Sequence, residues 1–359
     1  MMTIRFERGA LVAVGGLVFG LLAAVVTNPI ERATAAPKAS LRLAASALLP
    51  VLAPREPLLP QARKKKAAAR GAGVDTLTGA VAKPVAAYPQ WTQLPTLESA
   101  ADLFETFRKL DYDLGRVRAG EATVPRLFLA TLPGDLKDVR EIDVKKSLFF
   151  KTVLPLILQV NEEILRDRRR LWRLHFQRNL GEKFAPADRL WLTVMSERYG
   201  VKPGSIYALL QRVDIIPPSQ ALAQAAEESG WGTSRFVQEG NAVFGQWTYS
   251  DSGSLVPLRR GDDLNHKVKA FTSLLDSVRA YAMNLNTHRA YRDYRQTRFA
   301  LRLRGAPLDG LALANHLMSY SERGPKYVKT IKELIETNRL RHLDDARLND
   351  DEPALSPVI

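Results

Sequence analysis

The stretch "KSLFFKTVLPLILQVNEEILRDRRRLWRL", residues 146–174, does most to limit what this chain can become. Its apolar residues recur at a spacing near 3.6, the period of a helix with one buried face. Pro155 lies within it and is expected to kink or split the helix, because proline offers no N–H to the carbonyl four residues back. Glu162 and Glu163 follow the apolar part and read as a solvated helix face. Helical spacing opens with "LESAADLFETFRKLDYDLG" at residue 97. It continues in "APADRLWLTVMSERYG" (185–200), where Gly200 suits a C-cap, and in "GSIYALLQRV" (204–213). It returns in "DSVRAYAMNLNTHRAY" (276–291), with Ser277 as N-cap, and in "KYVKTIKELIETNRL" (326–340). The last of these places Val328, Ile331, Leu334 and Ile335 on one face.

One segment breaks the habit. "TYSDSGSLVPLRRGDDLNHKVKAF" (248–271) sets Gly, Ser and Asp clusters between short β-prone pieces and reads as a small hairpin-like lobe. Residues 341–359 are polar, contain proline and read as a loose tail. No internal repeat is present. The expected fold is α+β and mainly α-helical, one domain over residues 97–340 with a small β-lobe.

The formal charge of +14 is uneven, since residues 1–96 hold 12 Lys/Arg against 4 acids. A basic surface attracts nucleic acid, anionic lipid or an anionic polymer, and no motif that reads nucleic acid accompanies this one. Arg5 and Arg8 precede "ALVAVGGLVFGLLAAVV" (10–26), 17 residues without a charge, and the small-residue run "ATAA" follows at 33–36. Together they make an export signal over residues 1–36, either cleaved or kept as a membrane anchor. Residues 37–96, rich in Ala and Pro and carrying "RKKKAAAR" (63–70), read as a flexible basic linker. The chain has no cysteine, which excludes disulfides, thiol nucleophiles and cysteine-bound metals but not an oxidising compartment.

Chemistry concentrates in "AEESGWGTSRFVQEGNAVFGQW", residues 226–247. A helix is expected to start at Pro217 and Pro218, capped with the help of Ser219, and to end at Gly230. On a 3.6 period Ala221, Gln224, Ala225 and Glu228 share one side, with Glu227 about 100° round the axis. The small alanines let that side pack closely and carry Glu228 into a cleft. The negative end of the helix dipole disfavours ionisation there, and desolvation beside Trp231 acts in the same sense. A carboxylic acid kept protonated near neutral pH is what glycosidic cleavage needs. Spacing alone also fits two solvated charges at a helix end, and such pairs are common.

"AQAAEESGWG" followed by "NAVFGQW" resembles the glucosaminidase domain of glycoside hydrolase family 73, a family of peptidoglycan hydrolases. "LFFKTVLPLILQVNEEILRDR", "VPLRR" and "LNTHRAYRDYR" are similar to its exported Bax-type branch, and the likeness runs from about residue 100 to 340. It implies a lysozyme-like domain without a cofactor, acting on peptidoglycan glycan strands. It also implies that Glu228, immediately before Ser-Gly-Trp-Gly, is the catalytic acid; Glu227 stands where the family usually has an apolar residue. "YSERGPKYVKTI" (320–331) is similar to the family's paired-tyrosine segment, with one residue more between the tyrosines. Tyr327 then matches the tyrosine that faces the acid, either in a chemical role or as an anchor of the last helix. Trp231, Asn241, Phe244, Gln246, Trp247 and Tyr320 are the residues expected to hold substrate.

The pattern has a gap. Many members carry a second Glu in the β-lobe, whereas residues 250–270 contain only Asp251, Asp262 and Asp263 as acids. Asp251 is one candidate base; attack by the substrate's own 2-acetamido group is the other route. A lytic transglycosylase on the same scaffold and a wall-binding protein without turnover are the competing readings. His266 and His288 are isolated and imply no metal. Trp247, Tyr249, Tyr281 and Tyr291 are candidates to stack on sugar rings or to fill the core.

Overall fold

A computed structural model describes residues 97–248, 254–255 and 267–350. The export segment, the linker and Tyr249, Asp251, Asp262, Asp263 and His266 lie outside the described residues. The chain enters with α1 (Ala100–Lys109), whose first turn is capped by Ser99, and α2 (Leu114–Arg118), capped by Asp113. α3 (Ile142–Asn179) follows and runs through Pro155 as one helix of 38 residues. The proline does not split it. α3 packs against α5 (Ile206–Arg212) and α6 (Pro218–Ser229), which follow α4 (Pro186–Arg198), and against a later helix described below. Burial of Val153, Leu154, Leu156 and Ile157 at about 1.5–3 kcal/mol each outweighs the roughly 3 kcal/mol cost of an interior proline.

After α7 (Arg235–Gly240) come three short strands, β1 (Trp247–Thr248), β2 (Ser254–Leu255) and β3 (Lys267–Lys269). They form an antiparallel sheet in the order β1-β3-β2, with Trp247 and Leu255 both opposite Val268. The expected hairpin-like lobe is this sheet. α8 (Leu274–Thr287) is the later helix that crosses α3. Its N-cap is Ser273, whose hydroxyl accepts from the Asp276 amide, and not Ser277. Ser277 lies inside the helix, fully buried, where its hydroxyl accepts from the Val243 amide at 3.2 Å. α9 (Arg292–Leu303), α10 (Gly310–Leu313) and α11 (Pro325–Thr337) complete a mainly helical body, consistent with a lysozyme-like fold.

α6 is the centre of this body. It touches α3, α10, α11 and a 3₁₀ turn at Leu340–Leu343, and apart from Glu227 and Glu228 each of its residues is buried. Its alanines make that enclosure possible by letting neighbouring backbones approach. Gly310 shows how close the approach is, because a Cβ there would sit 2.1 Å from the Ser219 hydroxyl.

Three expectations are corrected by the packing. Ser219 does not help to cap α6, whose N-cap is Pro217 without a side-chain cap bond: the Ser219 amide and hydroxyl both donate to the Asp344 carboxylate at 2.8 Å, and the Gly310 amide donates to it at 3.3 Å. The stretch after residue 340 is not loose over its described part. Leu343, Ala346 and Leu348 are buried, and Leu348 pairs in parallel with Val124. Glu162 and Glu163 are not a solvated face, since Arg126 grips Glu162 with two hydrogen bonds and Arg279 grips Glu163 with two more. Both arginines come from distant parts of the chain, which local periodicity does not register.

Candidate active site

α6 ends at Gly230 in the left-handed region, φ +57°, as the sequence indicates. Trp231 and Gly232 continue left-handed at +59° and +78°, so the chain turns back sharply on leaving the helix. This reversal sets Trp231 against α3. Its ring meets Phe149 and Phe150 edge-on at 6.1 and 5.2 Å, under the Lys146 ammonium at 5.0 Å. Trp231 therefore packs on α3 and is not among the described residues that line the cleft with Glu228.

The Asn-Ala-Val-Phe-Gly segment after α7 forms the opposite wall. Asn241 is buried, and its amide donates to the carbonyls of Phe271 and Thr272 at 3.2 and 3.4 Å. It ties the turn to the exit of β3 and is not free to hold a sugar. Phe244 stacks on Tyr281 at 3.9 Å with planes 7° apart, and its carbonyl accepts from the Tyr320 hydroxyl at 3.1 Å. Tyr281 is core beneath it. Gly245 follows at φ +56°, and a Cβ at that position would lie 3.3 Å from Glu228 Oε2. Only glycine combines this backbone with this approach.

A cleft of about 920 Å³ opens between these walls, and Glu228 lines it with Phe244, Gly245 and Gln246. Its other side is formed by Tyr291 on the turn after α8 and by the loop of Tyr320, Glu322 and Arg323. Trp247 is described only through its backbone in β1, and its side chain is outside what the structure describes. Of the substrate residues expected from sequence, Phe244, Gln246 and Tyr320 meet in the cleft, while Trp231 and Asn241 do not. Glu322, Arg323 and Lys269 also line it and were not read from the sequence. The first two stand inside the "YSERGPKY" segment, so two charges between paired tyrosines were the available signal.

Tyr327 is completely buried at the start of α11, its ring stacked on Tyr320 at 5.6 Å. Its hydroxyl is placed to hydrogen-bond to the Glu228 carboxylate and accepts from Gln224 Nε2 at 3.0 Å. Burial pushes the Glu228 carboxyl above its ordinary value. The bond from Tyr327 opposes that rise, the neighbouring Glu227 charge adds to it and Arg323 opposes it. Burial also pushes Tyr327 far up, with the Glu228 charge acting in the same direction, so the phenol stays neutral. Tyr291 is pushed up to about 12 by burial. Glu227, on the adjacent face, is engaged differently: Arg323 forms an ion pair with it.

Among the described residues no group of three His, Asp or Glu is placed to hold a metal ion, and no helix is long and apolar enough to cross a membrane. The family model described as mannosyl-glycoprotein endo-beta-N-acetylglucosaminidase, or glucosaminidase, matches residues 204–340. "Protein bax" of Escherichia coli (strain K12) is 33% identical over 219 residues, which cover 58% of this chain and 75% of that protein. The chain belongs to the glucosaminidase family. No solved structure matches this chain. Membership supports a glycosidase with a peptidoglycan-type substrate, and a wall substrate is in keeping with an exported protein. The matched region holds Glu228, Tyr327 and the whole described lining of the cleft, while α3 lies outside it.

Proposed function

We propose that this glucosaminidase is an exported endo-β-N-acetylglucosaminidase that cleaves the β-1,4 bond between N-acetylglucosamine and N-acetylmuramic acid in peptidoglycan. The observation that carries this reading is Glu228 itself, a carboxyl raised by burial, beside a neutral phenol and lining a cleft large enough for a glycan. In its protonated form Glu228 gives its hydrogen to the glycosidic oxygen. The C1–O bond then breaks with its electron pair leaving on that oxygen, and an oxocarbenium-like sugar remains. Tyr327 acts on the other partner of this transfer, because its O–H donates to the carboxylate left behind.

The second step requires attack on C1. Glu322 is the other carboxylate of the cleft lining, and Asp251 lies outside the described residues. A water activated by a carboxylate on the far side of the ring gives inversion, whereas attack by the 2-acetamido oxygen followed by water gives retention. The anomer first released from a defined muropeptide therefore separates the two routes. Whether residues 10–26 remain as an anchor is likewise a proposal, tested by the mass of the mature N-terminus.

The decisive experiment compares Glu228→Gln with Glu227→Gln on purified sacculi. Loss of general acid catalysis is expected to reduce reducing-end release by about 10²–10⁴-fold in the Glu228 variant. The Glu227 variant, which loses the ion pair with Arg323 and a charge that is only a lesser cause of the Glu228 shift, is expected to stay within a few-fold. Reducing-end N-acetylglucosamine as product supports the hydrolase; an anhydro sugar assigns a transglycosylase instead, and no turnover assigns a wall-binding scaffold.

A further inference from the structure

α6 places Gln220, Gln224 and Glu228 at successive steps of four, so the three side chains follow one another along a single helix face. The face looks onto two buried phenols. Gln224 is fully buried and its amide is committed on both ends. Its Oε1 accepts from the Tyr281 hydroxyl at 2.7 Å and from Gln220 Nε2 at 3.0 Å. Its Nε2 is therefore the end that meets Tyr327, donating to the phenol oxygen at 3.0 Å. A phenol has one hydrogen to give. With Gln224 donating into its oxygen, the hydrogen of Tyr327 is left for Glu228, which stands next to Gln224 on the same helix face.

We propose that Gln224 is a positioning residue that fixes the direction of the Tyr327 hydroxyl, so that Tyr327 always donates to the Glu228 carboxylate. The inference rests on the reading of Glu228 as the acid and adds how its proton is held and released. A general acid must carry its proton before the reaction and be able to lose it during the reaction. Burial serves the first need. A donor that cannot turn away serves the second, because it favours the ionised carboxylate. Among the described residues, the charged and titratable groups facing Glu228 are Glu227 on α6, Glu322 and Arg323 on the 319–324 loop, Lys269 on β3, and Tyr281, Tyr291, Tyr320 and Tyr327. Gln224 acts on this set without being titratable itself.

The test uses the full chain with Gln224→Met, Gln224→Leu, Tyr327→Phe and the double variant Gln224→Met/Tyr327→Phe. The titration midpoint of Glu228 is read by carboxyl carbon NMR, assigned against Glu228→Gln, and the pH profile of sacculus hydrolysis is read beside it. Removing the hydrogen bond of one phenol to a charged acceptor is expected to move the midpoint upward by about one pH unit. Gln224→Met and Tyr327→Phe are each expected to show that rise, with the alkaline limb of the rate profile moving by the same amount. The double variant is expected to move no further than either single one. Gln224→Leu removes the donor without adding a charge and is expected to show the same rise; it carries the test if Gln224→Met does not fold. An unmoved midpoint in the Gln224 variants, or additive shifts in the double variant, overturns the proposal. If the wild-type chain does not turn over sacculi, the glycosidase reading falls while the NMR midpoints still decide the relay.

Discussion

Gly245 offers a way to disturb Glu228 by one methyl group without touching it. The residue is left-handed at φ +56°, and an added Cβ would lie 3.3 Å from Glu228 Oε2 and 4.0 Å from its Cβ. Gly305, at the end of α9, has a similar φ of +65° but nothing within 4 Å of such a Cβ. An L-residue in this region costs about 1–2 kcal/mol, so Gly245→Ala and Gly305→Ala should lose comparable stability. In a chain of this size that loss corresponds to about 2–8 °C in Tm. Activity should separate them. At position 245 the carboxylate must yield by a few tenths of an ångström, and the methyl occupies space the glycosidic oxygen needs. Since a misplacement of about 1 Å can cost about 10²-fold, a loss of about tenfold or more is expected for Gly245→Ala and none for Gly305→Ala. Thermal melts and reducing-end release from sacculi measure the two quantities. Equal activity in the two variants would refute the claim that Gly245 is kept for its approach to Glu228.

Three further outcomes follow from the same coordinates. The Glu228 carboxyl is raised above its unfolded value of 4.5, so its contribution to stability is fully present below that value and is lost as pH rises through the folded one. Glu228→Gln, neutral at every pH, should therefore be more stable than wild type at pH 7 and lose that advantage below about pH 4; a difference independent of pH in denaturant titrations would contradict this. Trp231→Ala should lose roughly 2–4 kcal/mol through its contacts with Phe149 and Phe150, yet retain kcat/KM in the folded protein; a fall in kcat/KM at unchanged stability would return Trp231 to the substrate site. Asp344→Ala leaves the Ser219 and Gly310 amides without their acceptor and should cost about 1–3 kcal/mol, read from urea unfolding.

Much of this arrangement was legible along the chain, and the losses have physical causes. The shared face of Gln224 and Glu228 could be read because a helix repeats every 3.6 residues and both residues sit in one unbroken element. The stop at Gly230 could be read because a left-handed C-terminal residue is most often glycine. Trp231 was misplaced because two further left-handed residues after Gly230 redirect its side chain, and periodicity ends with the helix. Ser277 was misplaced by one turn, since either serine can cap and only burial against Val243 distinguishes them. The ion pairs of Glu163 with Arg279 and of Glu227 with Arg323 join residues 116 and 96 positions apart. Contacts of that range leave no local pattern, and with them went Glu322 and Arg323 as part of the cleft.

α6 is fastened at both ends, by Asp344 on Ser219 and by the left-handed turn at Gly230. The interval from Ser219 to Glu228 spans roughly 14 Å at 1.5 Å per residue, and it acts as a ruler between the C-terminal segment and the cleft. Adding or removing a single residue inside that interval would rotate everything beyond it by about 100°. One such slip would bring Glu227 round toward the cleft and turn Glu228 away from Tyr327. Substitutions along the ruler are graded in their effect, whereas a change in its length is all or nothing. The two neighbouring glutamates thus hold opposite stations because the number of residues before them is fixed, and lineages of this chain should vary the composition of α6 far more readily than its length.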